Sequence, residues 1–318
     1  VKRILLVAGL VLVLVLAVAG LAVYADSQRQ KADNSWKPTV AHRAFHERHP
    51  RVLIDEAHFN AHTAGGKFAP FARLLTADGC EVIRNESVFT AGTLAGTDVL
   101  VIANAAGGPK PQLLGINLPN FDDRRRDMPA FSPEEITAVR TWVEEGGSLL
   151  LIADHAPFGA AVSALAAVFD VTMHGGFVEV EGMDPAQDDP SMLVFTRAGG
   201  LLGDHPITGG SIERVVTFTG QSLDGPVEAT VLLRVPESAK EYIPGGGDQM
   251  EERRAGAAQG LALERGLGRV VVLGEAGMLT AQISGGVRFG MNVPGNDNQQ
   301  FVLNVVHWLV RPLPPPGP

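Results

Sequence analysis

The chain has 318 residues, 45% of them apolar and 19% charged, a composition that supports a folded core and excludes disorder as the default state. Its formal charge of -9 argues against nucleic acid as a partner, because phosphate backbones are held by clustered Lys and Arg. The one cysteine, Cys80, leaves no intramolecular disulfide, so the core must stabilise itself in any redox compartment.

Lys2 and Arg3 precede an apolar run from Ile4 to about Val23, close to the ~20 residues that cross a bilayer. Positive charge on that flank puts the N-terminus in the cytoplasm and the remainder outside. Residues 1–25 are therefore expected to be a signal anchor, or a signal peptide cut after the small residues Val23 and Ala25. The first leaves an extracytoplasmic domain tethered to the membrane, periplasmic or on the outer face, and the second secretes it. Losing the leader removes Lys2 and Arg3 and no acid, which takes the charge from -9 to -11. Residues 26–50 are polar without sustained periodicity and read as a linker.

Arg51 to Asp55 is the first predicted strand. Phe68, Phe71, Leu74 and Leu75 recur at helical spacing before the stop at Gly79. Cys80 to Arg84 and Asp98 to Ala103 are two further short strands. Residues 105–131 form a Gly- and Pro-containing loop, too long for a routine connection and open to use as a lid or a partner surface. Its basic run, Arg124 to Arg126, is neutralised by Asp122, Asp123 and Asp127.

Ser132-Pro133-Glu134-Glu135 is a helix start, with Ser132 as N-cap and Glu135 closing a capping box. Ile136, Val139, Trp142 and Val143 are its buried stripe, and Gly146 ends it. Ser148 to Ala153 is a fourth strand, followed by an Ala-rich helix to Phe169 and a fifth strand near Val171 to His174. Residues 177–263 change to short alternating runs, the pattern of an antiparallel β elaboration. Arg269 to Leu273 returns to the buried parallel type, Asp297 to Val310 is a closing helix capped by Asn296, Asp297 and Asn298, and residues 314–318 are a Pro-rich tail. Short apolar strands alternating with helices predict an α/β fold with a mainly parallel sheet flanked by helices, of flavodoxin-like kind.

Two of these strands run straight into chemistry. RVLIDEAHFNAHT ends in Asp55, Glu56, His58, Asn60 and His62, and GSLLLIADHAPFG ends in Asp154 and His155. Parallel sheets bind ligands beyond the carboxyl ends of their strands, so these groups should converge with Asn104, His174 and Glu275 at one crevice. Glu56, Asp154 and His155 are the candidate catalytic groups, and Asp55, His58, Asn60, His62, Asn104, His174 and Glu275 the candidate ligand contacts.

No cofactor is demanded, but a divalent metal on His58, His62, Asp154 and His155 has chemically suitable donors. The plainer alternative is that strand-end histidines bond loop backbone, and that Glu275 is a loop acceptor or cap. VLIDEAH matches the acidic strand end of a helicase ATPase, yet no G-x-x-x-x-G-K-[ST] loop exists, since Gly65-Gly66-Lys67 is followed by Phe68. No G-x-S-x-G elbow occurs, and Cys80 falls at the wrong end of its strand for a nucleophile, which makes it a buried structural thiol. His205 reads as structural.

DEAHFNAHT, ADHAPFG, HPITGG and the closing GNDNQQFVLNVVHWL together resemble a family of exported or membrane-anchored bacterial proteins of unknown function with a class I glutamine amidotransferase-like fold. The similarity extends more distantly to domains of intraflagellar transport and gliding-motility proteins. It covers about Arg51 to Leu313, so residues 51–313 are expected to form the domain. The resemblance implies a turn that carries a nucleophilic Cys in true amidotransferases, and here that turn is Asp154-His155. The expected function is therefore binding of a small polar ligand or an envelope protein partner by a membrane-tethered domain. A metal-dependent hydrolase of a small molecule or saccharide, with Glu56 as general base, is the alternative, and a purely structural envelope element using residues 105–131 is a third.

Overall fold

A computed structural model describes residues 30–109, 112–113, 116–117, 128–183, 191–245 and 249–310. The predicted leader, most of the long loop with its arginine run, and the Pro-rich tail lie outside the described residues. Among the described residues no helix is long and apolar enough to cross a membrane.

In chain order the elements begin with β1 (Arg51–Asp55), α1 (Ala69–Asp78), β2 (Glu81–Asn85), the single turn α2 (Ala91–Leu94) and β3 (Val99–Ala103). They continue with α3 (Pro133–Glu144), β4 (Ser148–Ile152), α4 (Phe158–Ala167) and β5 (Thr172–Met173). A strand-rich stretch follows: β6 (Phe177–Glu179), β7 (Met192–Thr196), β8 (Arg214–Phe218), β9 (Leu223–Asp224), β10 (Thr230–Arg234), β11 (Lys240–Pro244) and β12 (Met250–Arg254). Last come β13 (Ala258–Arg265), β14 (Gly268–Leu273), β15 (Ala281–Ser284), β16 (Val287–Gly290) and α5 (Asn298–Leu309).

The main sheet runs β2-β1-β3-β4-β14-β13-β9-β5, with β10 also paired to β13. The first five strands are parallel, in the flavodoxin-like order. β13 then turns antiparallel to β14, and β9 and β5 continue antiparallel. The fifth predicted strand is thus a two-residue antiparallel edge and not another parallel member, because α4 leads to the far side of the elaboration and not back beside β4. The antiparallel elaboration is present as predicted, but through β13 it extends the main sheet itself.

Alternation along the parallel strands builds a core on each face. Val52, Ile54, Val101 and Leu150 pack with Phe71 and Leu74 of α1 and Phe301 and Val305 of α5. Leu53, Leu100, Leu149 and Leu151 pack on the other side with Val139 and Val143 of α3 and Val162 and Leu165 of α4. Burial on both faces explains why these strands read as unbroken apolar runs.

Local signals act as expected at several ends. Ser132 Oγ accepts the Glu135 N–H at 3.3 Å while Glu135 Oε2 accepts the Ser132 N–H at 3.0 Å. Gly79, at φ 108°, ends α1 by donating its N–H to Leu75 and Thr76 carbonyls, a conformation costly for any residue with a Cβ.

Two expectations need correction. The linker is partly docked: Lys31 and Ala32 pair with β15, Asp33 is buried, and Trp36, Val40 and Phe45 pack on the core. Asp297 stands at the N-cap of α5 but its side chain does not cap it, because Oδ2 instead accepts the N–H groups of Glu213 and Arg214 at 2.8 and 2.9 Å.

Candidate functional site

At the end of β1 the polar groups close on themselves. Asp55 is fully buried and both its carboxylate oxygens lie 2.9 Å from His58 Nδ1. His58 Nε2 is 2.8 Å from Glu135 Oε1, which also accepts the Phe89 N–H at 3.1 Å. Phe89 and Phe131 flank the imidazole with ring centroids at 4.7 and 4.8 Å. Burial opposes charge on His58, but the hydrogen bonds and charges of Asp55 and Glu135 outweigh it and raise its pKa. Burial likewise opposes the Glu135 charge, and the N–H groups of Ser132 and Phe89 with His58 hold its pKa below the usual range. The result is a carboxylate–imidazolium–carboxylate clasp that ties β1 to α3. Asn60 Nδ2 supports it by donating to Asp55 Oδ2 at 3.0 Å.

Glu56 takes no part in the clasp. Its Oε2 accepts from Arg84 Nε and Nη2 at 2.8 and 2.6 Å, and its Oε1 accepts the Ala64 N–H at 2.7 Å. Both oxygens are engaged by the scaffold, so the predicted general base is a brace between β1, β2 and the following loop.

The ends of β3 and β4 form a second group, in which Asn104, His62 and Glu275 are buried and Asp154 and His155 are partly exposed. Asn104 follows β3 at φ 52°, a left-handed conformation that Asn tolerates better than most residues. In that pose its Nδ2 donates to Asp154 Oδ2 at 2.6 Å and contacts His62 Nδ1 at 3.0 Å, while its Oδ1 accepts the Asp154 N–H at 2.7 Å. An amide donor facing Nδ1 requires the Nε2–H tautomer of His62. Burial, then the charge of Lys67, drives the His62 pKa well below the ordinary value, so the ring is neutral. Its Nε2 has no partner among the described residues.

Asp154 Oδ1 accepts the Ala276 N–H at 2.6 Å. Glu275, just beyond β14, accepts the N–H groups of Gly277 and Met278. It is the loop acceptor of the plainer reading. Burial raises the Asp154 pKa against the pull of His155, Asn104, Ala276 N–H and Lys67. Burial and the neighbouring Asp154 raise that of Glu275 further, well above the carboxylate range.

His155 lies half-buried, stacked on Phe177 with centroids at 3.9 Å, and its Nδ1 is 2.9 Å from the Ala156 carbonyl. The turn that carries it is held by Gln221, whose Nε2 donates to the Ala153 and Asp154 carbonyls at 2.9 and 3.0 Å. Gln221 Oε1 accepts the Gly175 N–H at 2.7 Å. Glu241, fully buried, supports the same region by accepting the N–H groups of Gly176 and Ser222. Neither residue carries a sequence signal, because each sits in an ordinary polar position between short strands. Lys67 did have one, the Gly-Gly-Lys run, but it pointed to a phosphate loop that the chain lacks.

The predicted set therefore divides. Asn104, His62, Asp154, His155 and Glu275 meet around β3, β4 and β14, while Asp55, His58 and Asn60 form the sealed clasp beside them. The backbone joins the two groups, since Ala106 N–H donates to the His58 carbonyl and Ala61 N–H to the Asn104 carbonyl, both at 2.9 Å. His174 is elsewhere, with Nε2 2.9 Å from Asp224 Oδ2.

The metal set does not assemble. Among the described residues no group of three or more His, Cys, Asp or Glu side chains is disposed to hold a metal, and both nitrogens of His58 already face carboxylates. Cys80 is buried before β2, and burial with the nearby Asp78 and Asp98 pushes its thiol up to about 12.

No family model and no curated protein sequence matches the chain. Among solved structures, the mmIFT52 N-terminal domain superposes with a TM-score of 0.55 at 12% identity, over 82% of this chain and 98% of that one. That likeness is one of fold. Weaker likenesses include a ThuA-like protein from Parabacteroides merdae, with a TM-score of 0.44 at 12% identity over 84% of this chain and 94% of that one. A GMP synthase subunit from Thermoplasma acidophilum gives 0.42 at 10% identity, over 83% and 96%. The fold shared with the mmIFT52 domain is a mostly parallel sheet, enlarged here by β-rich additions.

Proposed function

We propose that the chain is a binding domain for a small polar ligand, recognised at the β3 and β4 ends by Asp154, His155 and His62. The observation that carries this reading is the contrast in how polar groups are used there. Asp154 is held in place by Asn104 and the Ala276 N–H, while His62 and His155 each keep an Nε2 with no partner among the described residues. A fixed acceptor beside the half-buried His155 suits a ligand rich in hydroxyl or amide groups, and the buried His62 Nε2 adds an unpartnered donor. The turn that would carry a nucleophile in an amidotransferase holds Asp154-His155, so turnover is not part of the proposal. The metal-dependent hydrolase loses its support with the metal set and with Glu56 committed to Arg84.

The proposal extends to location. The apolar run Ile4 to Val23 behind Lys2 and Arg3 is read as an export and tethering segment, in keeping with the resemblance to exported bacterial proteins. Protease added to intact cells should digest the domain only if it lies outside, and protection of the domain would overturn this part.

Ligand binding is tested by a thermal-shift screen of polar metabolites and saccharides, followed by calorimetry on the hits. Binding lost in His155→Ala and Asp154→Asn but kept in Glu56→Gln supports the assignment. Binding that survives both changes at the β4 turn would move the site elsewhere.

A further inference from the structure

The β-rich half contains a cavity of about 520 Å³, lined by His174, Asp224, Arg234, Glu237 and Arg254 and by the backbone at 255–257. Asp154 and His155 do not line it. Two features set it apart from an ordinary surface hollow.

The first is unspent cationic charge in an acidic chain. Arg84, Arg140, Arg265 and Arg269 each hold a carboxylate. Arg234 and Arg254, at the ends of β10 and β12, have no ion pair and no side-chain hydrogen bond among the described residues. Arg254 is near enough to Asp224 to lower its pKa without bonding to it. The carboxylate of Asp224 is otherwise occupied, with Oδ2 at 2.9 Å from His174 Nε2 and Oδ1 accepting the Ala257 N–H at 3.0 Å.

The second is a prearranged wall. Gly256 donates its N–H to Ser222 Oγ at 2.7 Å, and a Cβ added there would stand 3.0 Å from His174 Nε2 and 2.9 Å from the Leu223 carbonyl oxygen. The Leu223 carbonyl leaves no room for a Cβ at this point of the wall.

We propose that this cavity binds a small oxyanion, a phosphate or carboxylate group on a molecule that also carries hydrogen-bond donors. Guanidinium forks match such groups in a bidentate manner. Arg234 and Arg254 supply the grip, and Glu237, which has no ion-pair partner among the described residues, faces the donor part of the same molecule. The assignment does not depend on the ligand site at the β4 turn. The two regions touch through the Ala156 N–H bond to the Gly175 carbonyl at 2.8 Å.

The test is calorimetric titration of the full chain at constant ionic strength with inorganic phosphate, glycerol 3-phosphate and malate, so that phosphate and carboxylate sources are compared directly. At least one probe should give a saturable single-site isotherm, weakened roughly tenfold by Arg234→Gln and by Arg254→Gln, the loss of one charge-assisted contact in each case. Arg253→Gln should leave it unchanged, because that exposed residue is on β12 but pairs with Glu251 outside the cavity. Asp154→Asn should also leave it unchanged, which separates this site from the one at the β4 turn. No isotherm with any probe at millimolar concentration would overturn the proposal. An equal loss in Arg253→Gln, or abolition by Asp154→Asn alone, would do the same.

Discussion

The carboxyl ends of β1 and β4 carry nearly the same string, an apolar strand running into an acid and then a histidine, and they come to opposite ends. At β1 the imidazole is sealed between Phe89 and Phe131 with a carboxylate on each nitrogen. At β4 the imidazole is half-buried on a single aromatic face with one nitrogen unpartnered. What separates them is what arrives from elsewhere: α3 brings Glu135 over β1, whereas β14 brings only backbone N–H and an already occupied Glu275 to β4. A sealed imidazole belongs to the scaffold, whereas the half-buried one keeps a nitrogen that the proposed ligand would meet.

The largest test of that contrast is to remove each imidazole in turn. His58→Leu leaves Asp55 and Glu135 buried without a counter-charge, and stripping one partner from a buried ion pair costs about 3–5 kcal/mol. His155→Leu at the β4 turn should cost under ~1 kcal/mol, as a partly exposed side chain without a buried partner does. Urea unfolding of both variants at one pH measures the difference, and equal losses would erase the distinction between the two ends.

Gln221→Ala comes next. It removes the donor to two carbonyls of the β4 turn and the acceptor for Gly175 N–H, and leaving such buried groups unpaired costs about 1–3 kcal/mol. Because the turn carries Asp154 and His155, ligand affinity should fall with stability. Unchanged affinity would mean that the turn holds its shape without Gln221.

A pH series separates the two ends by sign. The His58 pKa is raised, so the stability it contributes is complete below the unfolded value of 6.5 and is lost as pH rises through the raised folded value. Glu135 is lowered, so its share is present above 4.5 and is lost as pH falls through its lowered folded value. The clasp is therefore strongest between those two unfolded values. Asp154 and Glu275 are both raised, so their contribution is also lost with rising pH, through their own folded values. His58→Leu and Asp154→Asn should flatten different parts of the unfolding curve, and flattening of the same part would show that the two ends titrate as one system.

The parallel strands, the capping box at Ser132 and the stop at Gly79 were legible because each rests on neighbours in sequence: apolar runs, an i to i+3 pair, a glycine. The strand-end location of the polar groups was legible for the same reason. Their partition was not. Glu135 could be read as a capping residue but not as the second carboxylate on His58, 77 positions away. A parallel reading of its strand puts His174 in the crevice, and the antiparallel pairing of β5 with β9 carries it to Asp224 instead. Gln221 and Glu241 act through backbone groups that any residue possesses, so no spacing marks them.

Glu56 gives the smallest predicted effect and the sharpest reading of whether an acid in the strand-end string belongs to scaffold or site. Arg84 is exposed, at 58% for its side chain, while the Glu56 side chain is 5% exposed. Solvent screens the pair on the arginine side, and the Ala64 N–H continues to satisfy Oε1 when the arginine is gone. Arg84→Gln should leave the unfolding midpoint close to that of the parent and ligand affinity at the β4 turn unchanged. Were affinity to drop while the midpoint held, Glu56 would have to swing from Arg84 toward the ligand in the bound state, and the acid would belong to the site after all.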